Sequence, residues 1–228
     1  MDEIKLLLVE DDPNFLQLVK DSLEMTGDYD VYAAKNGVVG YEAYQTVKPD
    51  LIVSDIEMPE MSGLDMVKRI REENRIIPII LASAKTNPKD LANGFKLDID
   101  DYIKKPYLPA ELDLHIKAIL RRIKGNVTNK SIEYLINSYL FDPDKRILKW
   151  KDEKIELTSR ESEILELLYE QKGNVVKREE ILQRFWGTND YYTSRSLDVF
   201  IRKLRKYVEK DISIQIQTIR GEGIKMIF

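Results

Sequence analysis

Acidic side chains recur in this chain where short apolar runs end. Glu10, Asp11 and Asp12 follow the run LLLV, and Asp55 follows LIVS, with Glu57 two residues further on. Ser83 closes a fourth apolar run, IIPIILA, and Lys105 follows DYIK. Carboxylates crowded together repel one another unless a cation joins them. Oxygen ligands with open positions suit Mg²⁺, which keeps waters and bridges to phosphate. A carboxylate in such a set can attack a phosphoryl group. A hydroxyl such as Ser83 can donate to a phosphoryl oxygen, and an ammonium such as Lys105 can pair with its charge. Each acid taken singly reads as a solvated loop residue; the set gains force because all its members share one context.

That context is an alternation of strands and helices. Residues 5–9, 30–34, 51–54, 78–82 and 101–104 read as five buried strands. Between and after them, residues 13–26, 37–47, 62–73, 88–96 and 109–124 carry apolar residues at helical spacing; Phe15, Leu16, Val19 and Leu23 are one such stripe. Five strand–helix repeats predict a five-stranded parallel, doubly wound α/β sheet. Ligands of such sheets bind beyond the carboxyl ends of the strands, where the acids, Ser83 and Lys105 stand.

The rhythm changes after Lys124. Residues 125–137 read as a linker between a first domain over 1–124 and a second over 138–228. The second opens with short antiparallel strands over 139–157. Helices follow at 158–170, behind a Thr158 and Ser159 cap, at 177–185 and at 194–209. A hairpin, 214–219 and 224–228, turns at Gly221, Glu222 and Gly223. The stretch SRSLDVFIRKLRK points Leu197, Ile201 and Leu204 inward and Arg195, Arg202, Lys203 and Arg205 outward. A short helix before it and a hairpin after it make it a candidate recognition helix, and Arg220 stands at the hairpin turn, where an arginine can enter a minor groove. For an isolated helix, a solvated basic face is the favoured alternative.

Composition narrows the choices. The net charge is −4, but residues 1–122 hold 16 Lys+Arg against 23 Asp+Glu while residues 123–228 hold 20 against 17. An acidic front and a basic back suggest two domains with different partners. Zero cysteines exclude disulfides and thiolate sites, and the single histidine, His115, excludes any site that needs two. No apolar run is long enough to span a bilayer, and Asp2 and Glu3 stand where a signal peptide would be basic; a cytoplasmic protein without membrane contact is expected.

Residues 1–122 resemble a receiver domain of two-component signalling. The resemblance rests on Glu10 and Asp11, Asp55, Pro59, Gly63, Ser83 with Ala84, Asp100 with Asp101 and Tyr102, and Lys105 with Pro106. It implies a phosphoryl group accepted on Asp55 from a sensor histidine kinase. It also implies Mg²⁺ held by Asp11, Asp55 and the Glu57 backbone carbonyl, with Glu10 acting mainly through water, and a cis bond before Pro106. Ser83 and Tyr102 are the implied switch, remodelling the face formed by the fourth helix, fifth strand and fifth helix. Asp12 has no implied role beyond dressing a helix N-terminus.

Residues 139–228 resemble the winged-helix effector of the OmpR/PhoB family, through LTSRESEILELL, GNVVKREEILQRFWG, SRSLDVFIRKLRK and IQTIRGEGIKM in that order. The implied DNA contacts are Arg195, Ser196, Arg202, Lys203, Arg205, Thr218 and Arg220. Residues 186–193 match the loop such proteins offer to RNA polymerase, while Trp186 and Tyr191 read equally well as packing residues. The resemblance implies a response regulator that dimerises on phosphorylation, binds double-stranded DNA at direct repeats and regulates transcription.

Departures from the family pattern qualify this. Leu91, Leu97 and His115 stand where charges of the dimer face are usual, leaving Asp100, Asp101, Glu111, Lys117 and Arg122; weaker or more apolar pairing is expected. Asp98 and Ile99 replace a small-residue pair. Glu57 is expected to alter phosphorylation or dephosphorylation rates, Ser83 replaces the commoner threonine, and Ile224 replaces an aromatic, which would loosen the wing. His115 reads as a surface or interface residue rather than a phosphoacceptor. Two other functions remain: a DNA-binding protein whose receiver is a phosphorylation-independent scaffold, and a Mg²⁺-dependent phosphatase using Glu57 as second acid. Otherwise the chain is no enzyme beyond its own phosphotransfer and autodephosphorylation.

Overall fold

The computed structural model describes residues 3–84, 97–123, 133–186 and 191–228, with residues 122–123 and 191–193 described by their backbone. The chain divides into two compact units, Met1–Arg122 and Ile123–Phe228.

In the first unit five strands, β1 (Ile4–Val9), β2 (Tyr29–Ala34), β3 (Leu51–Asp55), β4 (Ile79–Ser83) and β5 (Asp101–Lys104), form a parallel sheet of order β2-β1-β3-β4-β5. β3 and β4 are buried along their whole length, as strands covered on both faces must be. The order reverses direction between β1 and β3, so the loops leaving these two strands diverge and open a crevice at their carboxyl ends.

Four described helices accompany the sheet: α1 (Pro13–Glu24), α2 (Gly37–Val47), α3 (Gly63–Glu73) and α4 (Pro109–Ile123). Each of the first three starts on a side-chain cap. Asp12 accepts from the amides of Asn14 and Phe15, Asn36 from Val39, and Ser62 from Asp65, satisfying amides that have no partner within the helix. Asp12 thus has a definite role as the N-cap of α1. The helix expected over 88–96, and Leu91 with it, lies outside the described residues.

The second unit begins with an antiparallel sheet of β6 (Tyr134–Ile136), β7 (Tyr139–Asp142), β8 (Ile147–Trp150) and β9 (Glu153–Glu156). Then come α5 (Ser159–Glu170), β10 (Val175–Lys177), α6 (Arg178–Trp186), α7 (Tyr191–Tyr207), β11 (Gln215–Ile219) and β12 (Gly223–Ile227), the last two strands and β10 making a sheet of order β10-β12-β11. Leu165, Leu168, Leu182, Leu197, Phe200, Leu204 and Met226 lie in the core under these helices.

Three boundaries differ from the sequence reading. Tyr134–Ile136, inside the stretch read as linker, is the strand β6, with Ile136 paired to Tyr139. β10 was not anticipated. Both have three residues, too few for periodicity, and exist because a partner strand accepts their hydrogen bonds. α7 begins at Tyr191, three residues before the expected start. Gly223 explains the β10 pairing, because a Cβ there would lie 1.9 Å from the Val176 carbonyl oxygen. Ile224, where an aromatic is usual, is buried and paired with Val176 and Thr218.

Candidate functional site

The divergence of the β1 and β3 loops brings the acids together. Carboxylate oxygens of Glu10, Asp11 and Asp55 all lie within 4.8 Å of one another, with Asp11 exposed and the other two buried. Lys105, just past β5, sends its Nζ to Glu10 Oε2 and Asp55 Oδ2, at 2.5 Å from each. The bond before Pro106 is cis. The Lys105 Nζ sits 5.3 Å from the centre of the Phe15 ring, which meets the Tyr107 ring edge to face at 5.2 Å.

Electrostatics follow from this geometry. Burial pushes the Glu10 carboxyl up, and the Lys105 bond and charge only partly offset it. Burial also opposes the Lys105 ammonium, but its bonds to Asp55 and Glu10 together win and hold it above the ordinary lysine range. Burial and then the charges of Glu10 and Asp55 push the Tyr107 phenol upward. The site therefore combines buried anions, a bridging cation and an exposed carboxylate at the rim.

The backbone near Asp55 is built for close approach. The first residue of α3 is glycine, and a Cβ at Gly63 would lie 1.9 Å from the Asp55 carbonyl oxygen. The Glu57 amide donates to Asp55 Oδ1 at 3.2 Å, and the Glu57 residue is exposed. Beside it opens a shallow depression of about 480 Å³, lined by Asp11, Glu57, Met58, Pro59 and Ser62 among others. It leaves room at the rim next to the two exposed carboxylates.

Ser83 and Tyr102 meet along adjacent strands. Ser83 is buried at the end of β4, and the Tyr102 hydroxyl donates to the Ser83 carbonyl at 3.4 Å.

The acids named for a dimer face separate. Asp100 is a correction: it is 3% exposed, accepts from the Ile79 amide at 3.0 Å and lies 3.8 Å from the Arg71 guanidinium. Its carboxylate serves the fold, as the acceptor of an amide at the start of β4. Arg71, which sequence reasoning missed, also donates to the carbonyls of Leu97, Asn74 and Asp98. Asp98 takes a left-handed φ of 59°, and Ile99 fills the core. Asp101 accepts from the Tyr102 amide and meets His115 Nδ1 at 2.7 Å. Glu111 is exposed, as is Lys117, which pairs at 3.0 Å with both Asp28 and Asp113. The Arg122 side chain lies outside the described residues.

In the second unit Arg195, Arg202, Arg205 and Arg220 are exposed and Lys203 is half-buried. Ser196 is a second correction: it is wholly buried within α7 and presents nothing to solvent. Its place in the SRSL stretch lies on the same side as Leu197 and Phe200 rather than on the basic side, which the spacing alone did not separate. Arg205 is exposed yet engaged: its Nε donates to the Ile216 carbonyl at 2.6 Å and its Nη2 to Thr218 Oγ1 at 2.7 Å. Arg178 was also missed. It bonds the Ser194 carbonyl, pairs with Asp198 at 2.9 Å and donates its amide to the Glu222 carbonyl. No local pattern marks Arg71 or Arg178, because most of their partners, Leu97, Asp98 and Asp100 for the one and Ser194 and Asp198 for the other, lie far along the chain. Trp186 packs against Phe185 and Phe200, with the Arg160 guanidinium 4.9 Å from its ring. It is a packing residue. The Tyr191 side chain and residues 187–190 of the loop matched to RNA polymerase lie outside the described residues.

Residues 6–117 match the family described as response regulator receiver domain, and residues 152–226 that described as transcriptional regulatory protein, C terminal. Fold and site thus define a two-component response regulator with a receiver and a DNA-binding domain. Transcriptional regulatory protein RprY of Bacteroides fragilis (strain YCH46) is 40% identical over 228 residues, which cover 100% of this chain and 96% of that protein. Alkaline phosphatase synthesis transcriptional regulatory protein PhoP of Bacillus subtilis (strain 168) is 34% identical over 231 residues, covering 97% and 96%. Among solved structures, response regulator DrrB, a Thermotoga maritima OmpR/PhoB homologue, is 28% identical with a TM-score of 0.50, each chain covered to 100%. The chain belongs to the OmpR/PhoB-type response regulators. Among the described residues no helix is long and apolar enough to cross a membrane.

Proposed function

We propose that Asp55 accepts a phosphoryl group from the phosphohistidine of a sensor kinase and that this controls DNA binding by the second unit. The observation that carries the reading is the Lys105 ammonium seated between Glu10 and Asp55. An Asp55 carboxylate oxygen attacks phosphorus, the P–N bond to the kinase histidine breaks, and the imidazole leaves with the bond's electron pair and takes up a proton. Lys105 pairs with the incoming charge, and Ser83 donates its hydroxyl to a phosphoryl oxygen. The all-oxygen donor set of Glu10, Asp11 and Asp55 suits Mg²⁺, with the Glu57 carbonyl as a further ligand. When bound, Mg²⁺ supplies charge neutralisation for the crowded oxygens.

Ser83 and Tyr102 act as the switch. Phosphorylation promotes pairing through Asp101, Glu111, Lys117 and Arg122 of β5 and α4, and exposed Leu114 on α4 supports the more apolar contact expected there. Sedimentation of the phosphorylated protein as a monomer would count against it. The domain boundaries follow the elements: the receiver ends with α4, the DNA-binding domain begins by β6, and the intervening residues join them. Arg195, Arg202 and Lys203 face the major groove and Arg220 the minor groove, at direct repeats, and the loop before α7 faces RNA polymerase. The protein turns over no external phosphate ester and works in the cytoplasm.

Acetyl phosphate with Mg²⁺ tests the central step. The expected result is one acid-stable, base-labile phosphoryl group per chain, absent in Asp55→Asn and absent after chelation. Undiminished labelling of Asp55→Asn would move the acceptor elsewhere. Site selection from a random duplex pool, with and without the donor, tests the coupling: equal enrichment in both samples would favour the phosphorylation-independent scaffold.

A further inference from the structure

Arg205 is exposed on α7 and yet tied to the hairpin that follows it. Among the described residues β11 is an edge strand, paired with β12. The Ile216 carbonyl and the Thr218 hydroxyl that Arg205 binds lie two residues apart on it. Two donors of one planar guanidinium, held by two acceptors on one strand, fix both a distance and an angle. Arg220 lies two residues beyond Thr218, at the turn of the same hairpin. Arg202 lies one helical turn before Arg205 on α7.

We propose that Arg205 is a positioning residue for DNA recognition: it clamps the wing to the recognition helix, so that Arg202 and Arg220 are presented to the duplex at a set separation. The inference rests on the DNA-binding reading above and assigns a different task to one residue of that set. Two groups held at the spacing of their targets bind as one unit, whereas a free hinge between them loses affinity to ordering. Thr218 belongs to the clamp through its hydroxyl. A lysine at 205 has no fork to span both acceptors.

The test uses the whole 228-residue chain and the duplex it selects from the random pool. Arg205→Gln is expected to weaken binding about tenfold. Thr218→Val should weaken it several-fold, Thr218→Ser should restore it, and Arg205→Lys should not restore it. Adding Arg205→Gln to Arg220→Gln should cost little more than Arg220→Gln alone, because an idle wing needs no clamp. Arg202→Gln should lower the slope of log affinity against log salt by about 0.9, the value for one phosphate, and Arg205→Gln by less than half of that. A full drop of about 0.9 for Arg205→Gln, with losses additive to those of Arg220→Gln, overturns the clamp and makes Arg205 a direct phosphate contact. Unchanged affinity in both Arg202→Gln and Arg220→Gln overturns the DNA interface itself, and the clamp's role with it.

Discussion

Glu10 and Asp55 are gathered out of water around one cation, Lys105, whereas the arginines of α7 stand at the surface. Glu10, Asp55 and Lys105 form one linked group at the mouth of a buried sheet. In such surroundings a missing partner leaves an uncompensated buried charge, so single residues matter greatly. Arg195, Arg202 and Arg220 stay exposed. Exposed ion pairs contribute little to stability, and the field of exposed arginines is available to a polyanion. Mixed cases make the comparison informative: Asp100 looks like a surface acid in sequence and is buried, and Arg205 looks like a free cation and is bonded.

The sharpest way to break this contrast is Asp100→Ala. Removing a buried acceptor from the Ile79 amide and from Arg71 should destabilise the receiver by about 3 kcal/mol, read by denaturant unfolding. Asp100→Asn, which keeps an acceptor, should cost less. An unchanged unfolding midpoint with impaired dimerisation would return Asp100 to the surface.

Arg202→Gln probes the other side. It should weaken duplex binding about tenfold, near 1.4 kcal/mol, while leaving the unfolding midpoint within about 0.5 kcal/mol of wild type. A large stability loss would mean that α7 uses its cations to hold the fold.

A smaller effect belongs to the cap of α5. Thr158 accepts from the Glu161 amide while the Glu161 carboxylate accepts from the Thr158 amide. Thr158→Ala should cost the second unit about 1 kcal/mol, and Thr158→Ser should recover most of it; equal loss in both would place the contribution in the methyl group's packing.

The smallest expected effect is an acid-pH one. Hydroxyls of Ser138 and Ser213 hold the Asp211 carboxyl down to about 2, below its ordinary 3.8. A depressed carboxyl adds stability that is present above the ordinary value and lost as pH falls through the folded one. Melting temperatures of wild type and Asp211→Asn should therefore differ above about pH 4 and converge toward pH 2. A constant gap across that range would show that the charge contributes nothing.

Much of this was legible beforehand. Apolar runs ended by Asp11, Asp55, Ser83 and Lys105 marked both the strands and the site, because a parallel sheet buries its strands and exposes their carboxyl ends. The basic stretch of α7 was legible for a similar reason, its 3.6-residue stripe of Leu197, Ile201 and Leu204 standing out from the arginines. Short strands such as β6 and β10 were not, since their pairing partners lie elsewhere in the chain. Nor were the roles of Asp100, Arg71 and Arg178, which depend on which amide or carbonyl arrives beside them.

The order of polar and apolar residues by itself determined two units, the sheet of the first, the basic helix of the second and the chemical types available at each. Those properties are local: burial pattern, helical period and side-chain charge are carried by neighbours in the chain. Only the tertiary structure decided that Lys105 bridges Glu10 and Asp55, that Asp100 faces inward and that Arg205 is tied to the wing. A hydrogen bond is made within about 3 Å, and partners 11 to 95 residues apart in the chain come within that distance only when the fold brings them there.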